Sequence, residues 1–297
     1  MTASLTVIVP AVNEPSDVRK TLEALERERR ATGVEAIVVS RLGAPVSTLV
    51  KASFPWARLI DVAPGTTIPA MRAIAFEQVT TPYVAVIEDH VAVPAGWVAL
   101  MTAKARETGA IVGGPVDNLA TVTLLDRAAF LCEYSHCMPP LPGGSTSWLP
   151  GNNVVYPADT ARKHLELLRR GSWENDMHEA IKADGGSLVM VPEGVIGHDK
   201  HYSLWEYLSQ RYLYSRSFAG KRGQQSSALK RLAYAAGSVI LPPVLLLRIV
   251  SRVGARPDHR GTLLRSLPLI ATFVVSWAAG ELVGYLAGPG DSLGRVR

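Results

Sequence analysis

Tyr83-Val84-Ala85-Val86-Ile87 is an apolar run that ends abruptly in Glu88-Asp89-His90. Five strand-forming residues followed by two carboxylates and an imidazole fit a buried parallel strand with functional groups at its carboxyl end, where open α/β sheets gather them. Glu88 and His90 are two apart, so in extended backbone they point the same way, toward one ion or one diphosphate. An acidic surface turn has the same composition, and the octet alone leaves the two readings even. A second constellation is Trp173-Glu174-Asn175-Asp176 at the start of a helical pattern. Either carboxylate there could act as a general base, and either could simply favour the positive end of the helix dipole. On a helix, residues 174 and 176 point to different faces, so they are not expected to share one task.

These groups need a frame. Leu5 to Val9 reads as a first strand closed by Pro10, and Asn13-Glu14-Pro15-Ser16-Asp17 offers helix-start chemistry. Val18, Leu22 and Leu25 follow at helical spacing until Gly33 stops the run. Strands are predicted over Ala36–Val39, Arg58–Val62, Tyr83–Ile87, Ala110–Gly113 and Leu188–Val191, and a helix over Met71–Gln78. Alternation of this kind implies an α/β domain with a mostly parallel sheet and right-handed crossovers, its site at the carboxyl ends of the strands.

The chain has 297 residues, 47% hydrophobic and 19% charged, which supports a sizeable core and argues against disorder. Its charge is unevenly divided. Residues 1–200 carry 18 Lys/Arg against 22 Asp/Glu, and residues 201–297 carry 13 against 4. The basic part also holds the long apolar stretches, a pairing that suits anionic lipid headgroups and speaks against nucleic acid. Cys132 and Cys137 flank His136, but two further zinc ligands at suitable spacing are missing, so free thiols in a reducing compartment are expected. Met1 to Thr6 has neither a basic nor a long apolar segment of the secretory type, which places the first domain in the cytoplasm as an expectation.

Past residue 200 the pattern changes. His201 to Arg222 mixes Trp205, Tyr207, Tyr212, Tyr214 and Phe218 with Arg211, Arg216, Lys221 and Arg222, as an interfacial helix would. Leu232–Leu247 is apolar but only sixteen residues long and contains Pro242-Pro243, whereas Leu267–Gly288 has twenty-two residues, enough to span, with Glu281 inside it. Arg248, Arg252, Arg256, Arg260 and Arg265 lie between or beside them. Two crossings would put that basic loop outside, against the positive-inside tendency. The first segment is therefore expected to be re-entrant or in-plane, with the second spanning or lying as its partner; a hairpin crossing twice is the alternative. The implied division is a catalytic domain over 1–200, an interfacial helix and linker over 201–228, and membrane-associated helices over 229–297.

From Leu5 to about Arg222 the ordered motifs resemble the family 2 glycosyltransferases, inverting enzymes of GT-A fold, and among them bacterial enzymes of exopolysaccharide assembly. Val7-Ile8-Val9-Pro10-Ala11-Val12-Asn13-Glu14 is similar to the family's first strand and its Pro-x-x-Asn-Glu turn. Met71-Arg72-Ala73 after Gly65-Thr66-Thr67 resembles the helix whose Arg approaches the nucleotide, and Glu88-Asp89-His90 stands in place of Asp-x-Asp. Gly151-Asn152-Asn153 resembles the acceptor loop, and Trp173-Glu174-Asn175-Asp176 the catalytic pair.

The resemblance implies a nucleotide-diphosphate sugar donor and Mn²⁺ or Mg²⁺ held by Glu88, His90 and His198, since imidazole suits manganese better than calcium. It implies donor contacts from Pro10, Asn13, Glu14, Arg72, Glu88 and Asp89, with Arg211 and Arg216 either reaching the diphosphate or snorkelling at the interface. Acceptor contacts would come from Gly151, Asn152, Asn153 and Trp173, the base would be Glu174, and Asp176 would position or cap. His198 and the helix acids also have ordinary structural readings, as a surface residue and as dipole-stabilising groups. The acceptor implied is a polyprenyl-linked saccharide at the cytoplasmic membrane. One departure is plain: the family's Asp-Asp-Gly-Ser after the second strand is here Ser40-Arg41-Leu42-Gly43. That loss leaves room for an inactive nucleotide-sugar-binding scaffold, and direct transfer to polyprenyl phosphate is a further alternative. A nucleotidyltransferase would need a Gly-rich basic loop after the first strand, which is lacking.

Overall fold

The computed structural model describes residues 3–297, which form two compact units. The first comprises the chain up to Asp117 together with Cys137–Asp199, and the second comprises Asn118–His136 with Lys200–Arg297. Residues 118–136 thus cluster with the C-terminal helices.

In chain order the first unit runs β1 (Leu5–Ala11), α1 (Pro15–Thr32), β2 (Glu35–Ser40), α2 (Ala44–Ser53), β3 (Arg58–Asp61), α3 (Ile68–Phe76), β4 (Tyr83–Ile87), β5 (Val91–Ala92), α4 (Trp97–Thr108), β6 (Ile111–Gly113) and β7 (Val116–Asn118). After α5 (Leu124–Tyr134), which belongs to the second unit, it resumes with β8 (Gly144–Thr146), β9 (Asn153–Pro157), α6 (Ala158–Arg162), α7 (Leu165–Arg169), α8 (Glu174–Ala183), β10 (Leu188–Met190) and β11 (Ile196–His198). The main sheet has the order β3-β2-β1-β4-β9-β6-β10-β8. Its first four strands are parallel, β9 runs antiparallel to both β4 and β6, and β8 antiparallel to β10. Every residue of β1, and all of β4 after Tyr83, is buried, as two-sided coverage of a parallel sheet demands. α1 turns its apolar stripe of Val18, Leu22 and Leu25 inward and ends at Gly33, whose φ of 70° lets its N–H reach the Arg29 carbonyl. α3 begins three residues before the predicted start, because the Thr67 hydroxyl caps it by accepting from Ala70 N–H and Pro69 suits a first turn.

Two features of this unit position the site. β1 leads to β2 on one side and pairs with β4 on the other, so the chain direction around the sheet switches between β1 and β4. A crevice at their carboxyl ends follows from that order. A small second sheet, β5-β11-β7, pairs His198 with Val91 and so carries His198 beside His90.

The second unit consists of α5, α9 (Leu204–Gln224), α10 (Ala228–Gly237), α11 (Leu241–Gly254), α12 (Arg260–Ala287) and α13 (Ser292–Arg295). The apolar run predicted over Leu232–Leu247 is divided into α10 and α11, which meet at a bend of 58°. Pro242 and Pro243 lie in the first turn of α11, where a missing N–H costs nothing, and not in a helix interior. Among the described residues one helix, Pro257–Ala287, is long and apolar enough to cross a membrane, and the bent pair adds a second such segment if taken as one. α9 and α12 lie against each other along Tyr207–Phe273 rings 4.5 Å apart and a Ser276 hydroxyl donating to the Leu208 carbonyl at 2.8 Å.

Candidate active site

The turn after β4 delivers three consecutive side chains with three different tasks. Asp89, 1% exposed, accepts from Val12 N–H (2.7 Å), Asn13 N–H (2.8 Å) and the Asn13 amide (2.7 Å), and its Oδ1 lies 3.0 Å from His90 Nδ1. It therefore locks the end of β1 to the end of β4 and fixes the His90 ring. That disposition leaves Asp89 facing protein donors. His90 turns Nε2 toward His198 Nε2 at 3.0 Å and Glu88 Oε2 at 3.4 Å.

One carboxylate oxygen and two imidazole nitrogens thus lie within 4.8 Å of one another. The set is a mixed N/O one of the kind Mn²⁺ accepts, and a carboxylate behind the ligating imidazole is the usual support for such a ring. The residues fit a divalent cation. Burial opposes charge on His90, yet its hydrogen bonds to Asp89 and Glu88 outweigh that and push it up to about 10. Burial would raise Glu88 and Asp89; the adjoining His90 more than offsets it and holds both below the ordinary carboxylate range. The His90 imidazolium thus offsets one of the two carboxylates, and a bound cation would take the place of its proton; Glu88, 30% exposed, is the solvent-facing member.

Arg72 of α3 and Glu174 at the start of α8 form a buried ion pair, each side chain 3% exposed. The Arg72 guanidinium carbon stands 5.9 Å from the centre of the Trp173 ring. Burial works against the Arg72 charge, and Glu174 and then Glu88 sustain it, so Arg72 feels both carboxylates. Glu174 and Asp176 diverge as predicted for a helix: Glu174 is buried and Asp176 exposed. Gly151 lies against Glu174, close enough that a Cβ there would meet Glu174 Oε2 at 3.1 Å.

The neighbouring asparagines separate. Asn152 donates to Glu88 Oε2 at 2.8 Å, which orients that carboxylate. Asn153 is fully buried, donates to the Pro115 and Gly194 carbonyls at 2.9 and 2.7 Å, and accepts from Trp97 Nε1 at 3.2 Å. Its amide is thus engaged within the core. Pro10 is buried within β1, and Glu14 is exposed at the N-cap of α1 without capping it. Arg211 and Arg216 belong to the second unit: Arg211 stacks on Trp277 at 4.3 Å and faces Glu133 at 3.8 Å, while Arg216 Nε donates to the Gly288 carbonyl at 3.2 Å. Arg41, at the position of the missing acidic motif, is buried and donates to the Thr66 carbonyl at 2.9 Å, tying down the loop before α3.

Behind Glu174, the Tyr156 hydroxyl meets His178 Nε2 at 2.8 Å, a pair that sequence reading missed because β9 carries no separate signal. Burial, then the Lys182 charge, drives His178 down to about 4. The unfolded chain takes up a proton near pH 6.5 that the native ring refuses, so stability falls as pH drops from about 6.5 to about 4 and levels off below. The full loss is about 3 kcal/mol. Urea unfolding at pH 7 and pH 4.5 should show this slope, and His178→Phe should reduce it, with His136, which burial also lowers to about 4, supplying the remainder; an unchanged slope in that variant would assign the effect elsewhere.

No family model matches the sequence, and no curated protein matches it. The solved structures that resemble it include a mannosyltransferase from Pyrobaculum calidifontis, PcManGT, determined in complex with GDP-mannose and Mn²⁺. The likeness spans 94% of this chain and 87% of that one at 14% identity, with a TM-score of 0.56. It shows the fold: an α/β domain of GT-A type followed by helices is the architecture of this chain.

Proposed function

We propose that the protein is an inverting, metal-dependent glycosyltransferase of the family 2 kind. It moves one sugar from a nucleotide-diphosphate donor to a polyprenyl-linked saccharide at the cytoplasmic face of the membrane. The observation that carries this reading is the convergence of the Glu88–His90–His198 cluster with the Arg72–Glu174 pair in one GT-A unit. GDP-mannose and Mn²⁺ in the structural neighbour support a nucleotide sugar and a divalent cation as the ligands. The apolar helix 257–287 and the +9 balance of residues 201–297 support a membrane-proximal acceptor and a role in polysaccharide assembly.

A divalent cation bound by Glu88, His90 and His198 would neutralise charge building on the departing diphosphate. Asp89 and Asn152 orient the ligands so that they need not rearrange. Arg72 would add a bidentate cation for a phosphate oxygen pair. Glu174 would take the proton from the acceptor hydroxyl as it attacks the anomeric carbon, and the single displacement inverts that centre.

Purified protein should hydrolyse or transfer from one member of a nucleotide-sugar panel only with Mn²⁺ or Mg²⁺ present. Glu174→Gln should lower turnover by about 10²–10⁴-fold while donor binding persists. Full activity in that variant would remove Glu174 as the base. Ser40-Arg41-Leu42-Gly43 favours a second reading, a scaffold that binds nucleotide sugar without turning it over. Binding with no turnover, even when membranes supply the acceptor, would select it.

A further inference from the structure

We infer that Arg72 latches Glu174 until a donor diphosphate draws the guanidinium away, so that donor binding precedes and releases the base. The inference rests on the glycosyltransferase reading above and adds an order of events to it.

A buried ion pair kept only for structure would have its remaining polar atoms satisfied, because an unpaired buried donor or acceptor costs more than the pair returns. This pair does not meet that condition. Among the described residues, Glu174 Oε1 and Arg72 Nε are both buried and have no hydrogen-bond partner. Each end is thus half-engaged with the other and half-open to something further. The guanidinium is a planar fork of five donors, suited to two acceptors at once and matched to phosphate geometry. The carboxylate has a second oxygen suited to a hydroxyl.

Placement supplies the direction of the switch. Arg72 is held by Glu174 and also feels Glu88, the carboxylate of the metal cluster. A diphosphate sharing the cation with Glu88 brings anionic oxygens to the Glu88 side of Arg72. There they compete with Glu174 for the same fork with more charge than one carboxylate carries. The Trp173 face at 5.9 Å gives the guanidinium a surface along which to shift. While the latch is closed, Glu174 Oε2 is committed to Arg72. Once it opens, both carboxylate oxygens are free to accept from a hydroxyl. Gly151 keeps the adjoining loop clear of Glu174 throughout.

The test is a binding cycle on the full chain in detergent, with Mg²⁺-pyrophosphate and Mg²⁺-nucleoside diphosphates as probes in calorimetry. Breaking the latch with Glu174→Gln should tighten diphosphate binding by about tenfold, since the ligand no longer has to displace Glu174. In an Arg72→Gln background the same change should alter affinity less than about twofold, because only the latch couples them. Equal tightening in both backgrounds would mean that lost charge alone is responsible and would overturn the latch. So would a Glu174→Gln protein that binds no tighter than wild type. If Arg72→Gln does not fold, Glu174→Asp replaces it. That variant keeps the charge and shortens the arm, so the latch requires tighter binding and simple charge removal requires none. A wild-type protein that binds no diphosphate with any cation would defeat the glycosyltransferase reading itself. Wild-type binding without tightening in Glu174→Gln defeats only the latch.

Discussion

Asp89→Ala should lower stability by about 4 kcal/mol and weaken Mn²⁺ binding by about 10- to 100-fold. The two effects share one cause. Asp89 receives the Val12 and Asn13 N–H groups and the Asn13 amide, and holds His90 Nδ1, at 2.7–3.0 Å and almost without solvent. Hydrogen bonds to a buried charge are worth about 1.5–3 kcal/mol each, and their loss would strand several donors at once. Alanine cannot be rescued by water unless the core opens, so β1 and β4 would lose their tie at the crevice. The His90 ring would then lose the carboxylate that sets its orientation, and Nε2 would no longer be held toward Glu88 and His198. Glu88→Gln is the contrast: it removes a ligand from the cluster and leaves the tie intact. It should weaken Mn²⁺ binding with a stability change below about 1 kcal/mol. Urea unfolding and Mn²⁺ titration of both variants check this. An Asp89→Ala protein that unfolds at the wild-type urea concentration would show that the tie carries no weight.

That double role marks the limit of what the sequence discloses. β4 and its Glu88-Asp89-His90 end are legible because a two-sided buried strand reads as an unbroken apolar run with a sudden change of chemistry. β1 and β2 are legible for the same reason, and the edge strand β3, none of whose residues is buried, by its short Leu59-Ile60 pair, all within a residue or two. β9 is not, since Asn153–Pro157 opens with a polar residue and sits where the loop motif drew attention. Its antiparallel pairing with β4 and β6 makes Asn153 a core residue, a fact fixed by partners distant in sequence. His198 was a lone histidine until β11 paired with β5 and put it 3.0 Å from His90. Division of labour within the octet was also invisible. Residues 88 and 90 were expected to share a direction and do, but nothing in the sequence says that residue 89 is tied to Val12 and Asn13. The Arg72–Glu174 pair joins two motifs read separately as phosphate binding and base. Arg211 and Arg216 show the converse: their types suited a diphosphate, and their surroundings in the helical unit engage them with Trp277, Glu133 and Gly288.

Gly280→Leu should disrupt the helical unit, with an expected loss of about 3 kcal/mol or more. Gly280 and Gly284 are four apart on α12 and present a flat strip to α9, the small-residue arrangement that lets two helix backbones approach closely. A Cβ on Gly280 would meet the Ser215 hydroxyl and the Tyr212 carbonyl, and one on Gly284 would meet the Arg216 carbonyl at 2.6 Å. Backbone atoms cannot yield as the end of a flexible side chain can, so relief requires the helices to part. Parting them would separate the Tyr207 and Phe273 rings and break the Ser276 bond to the Leu208 carbonyl. It would also pull Arg211 from the Trp277 face. Gly261, on the same helix, has nothing within 4 Å of a built Cβ, and Gly261→Ala should instead stabilise by up to about 1 kcal/mol through helix propensity. Opposite signs from two glycines of one helix, read as thermal unfolding of the detergent-solubilised protein, would separate close approach from apolar character. Equal and small effects would mean that α9 and α12 are held by hydrophobic contact alone, and the strip would then be incidental to their association.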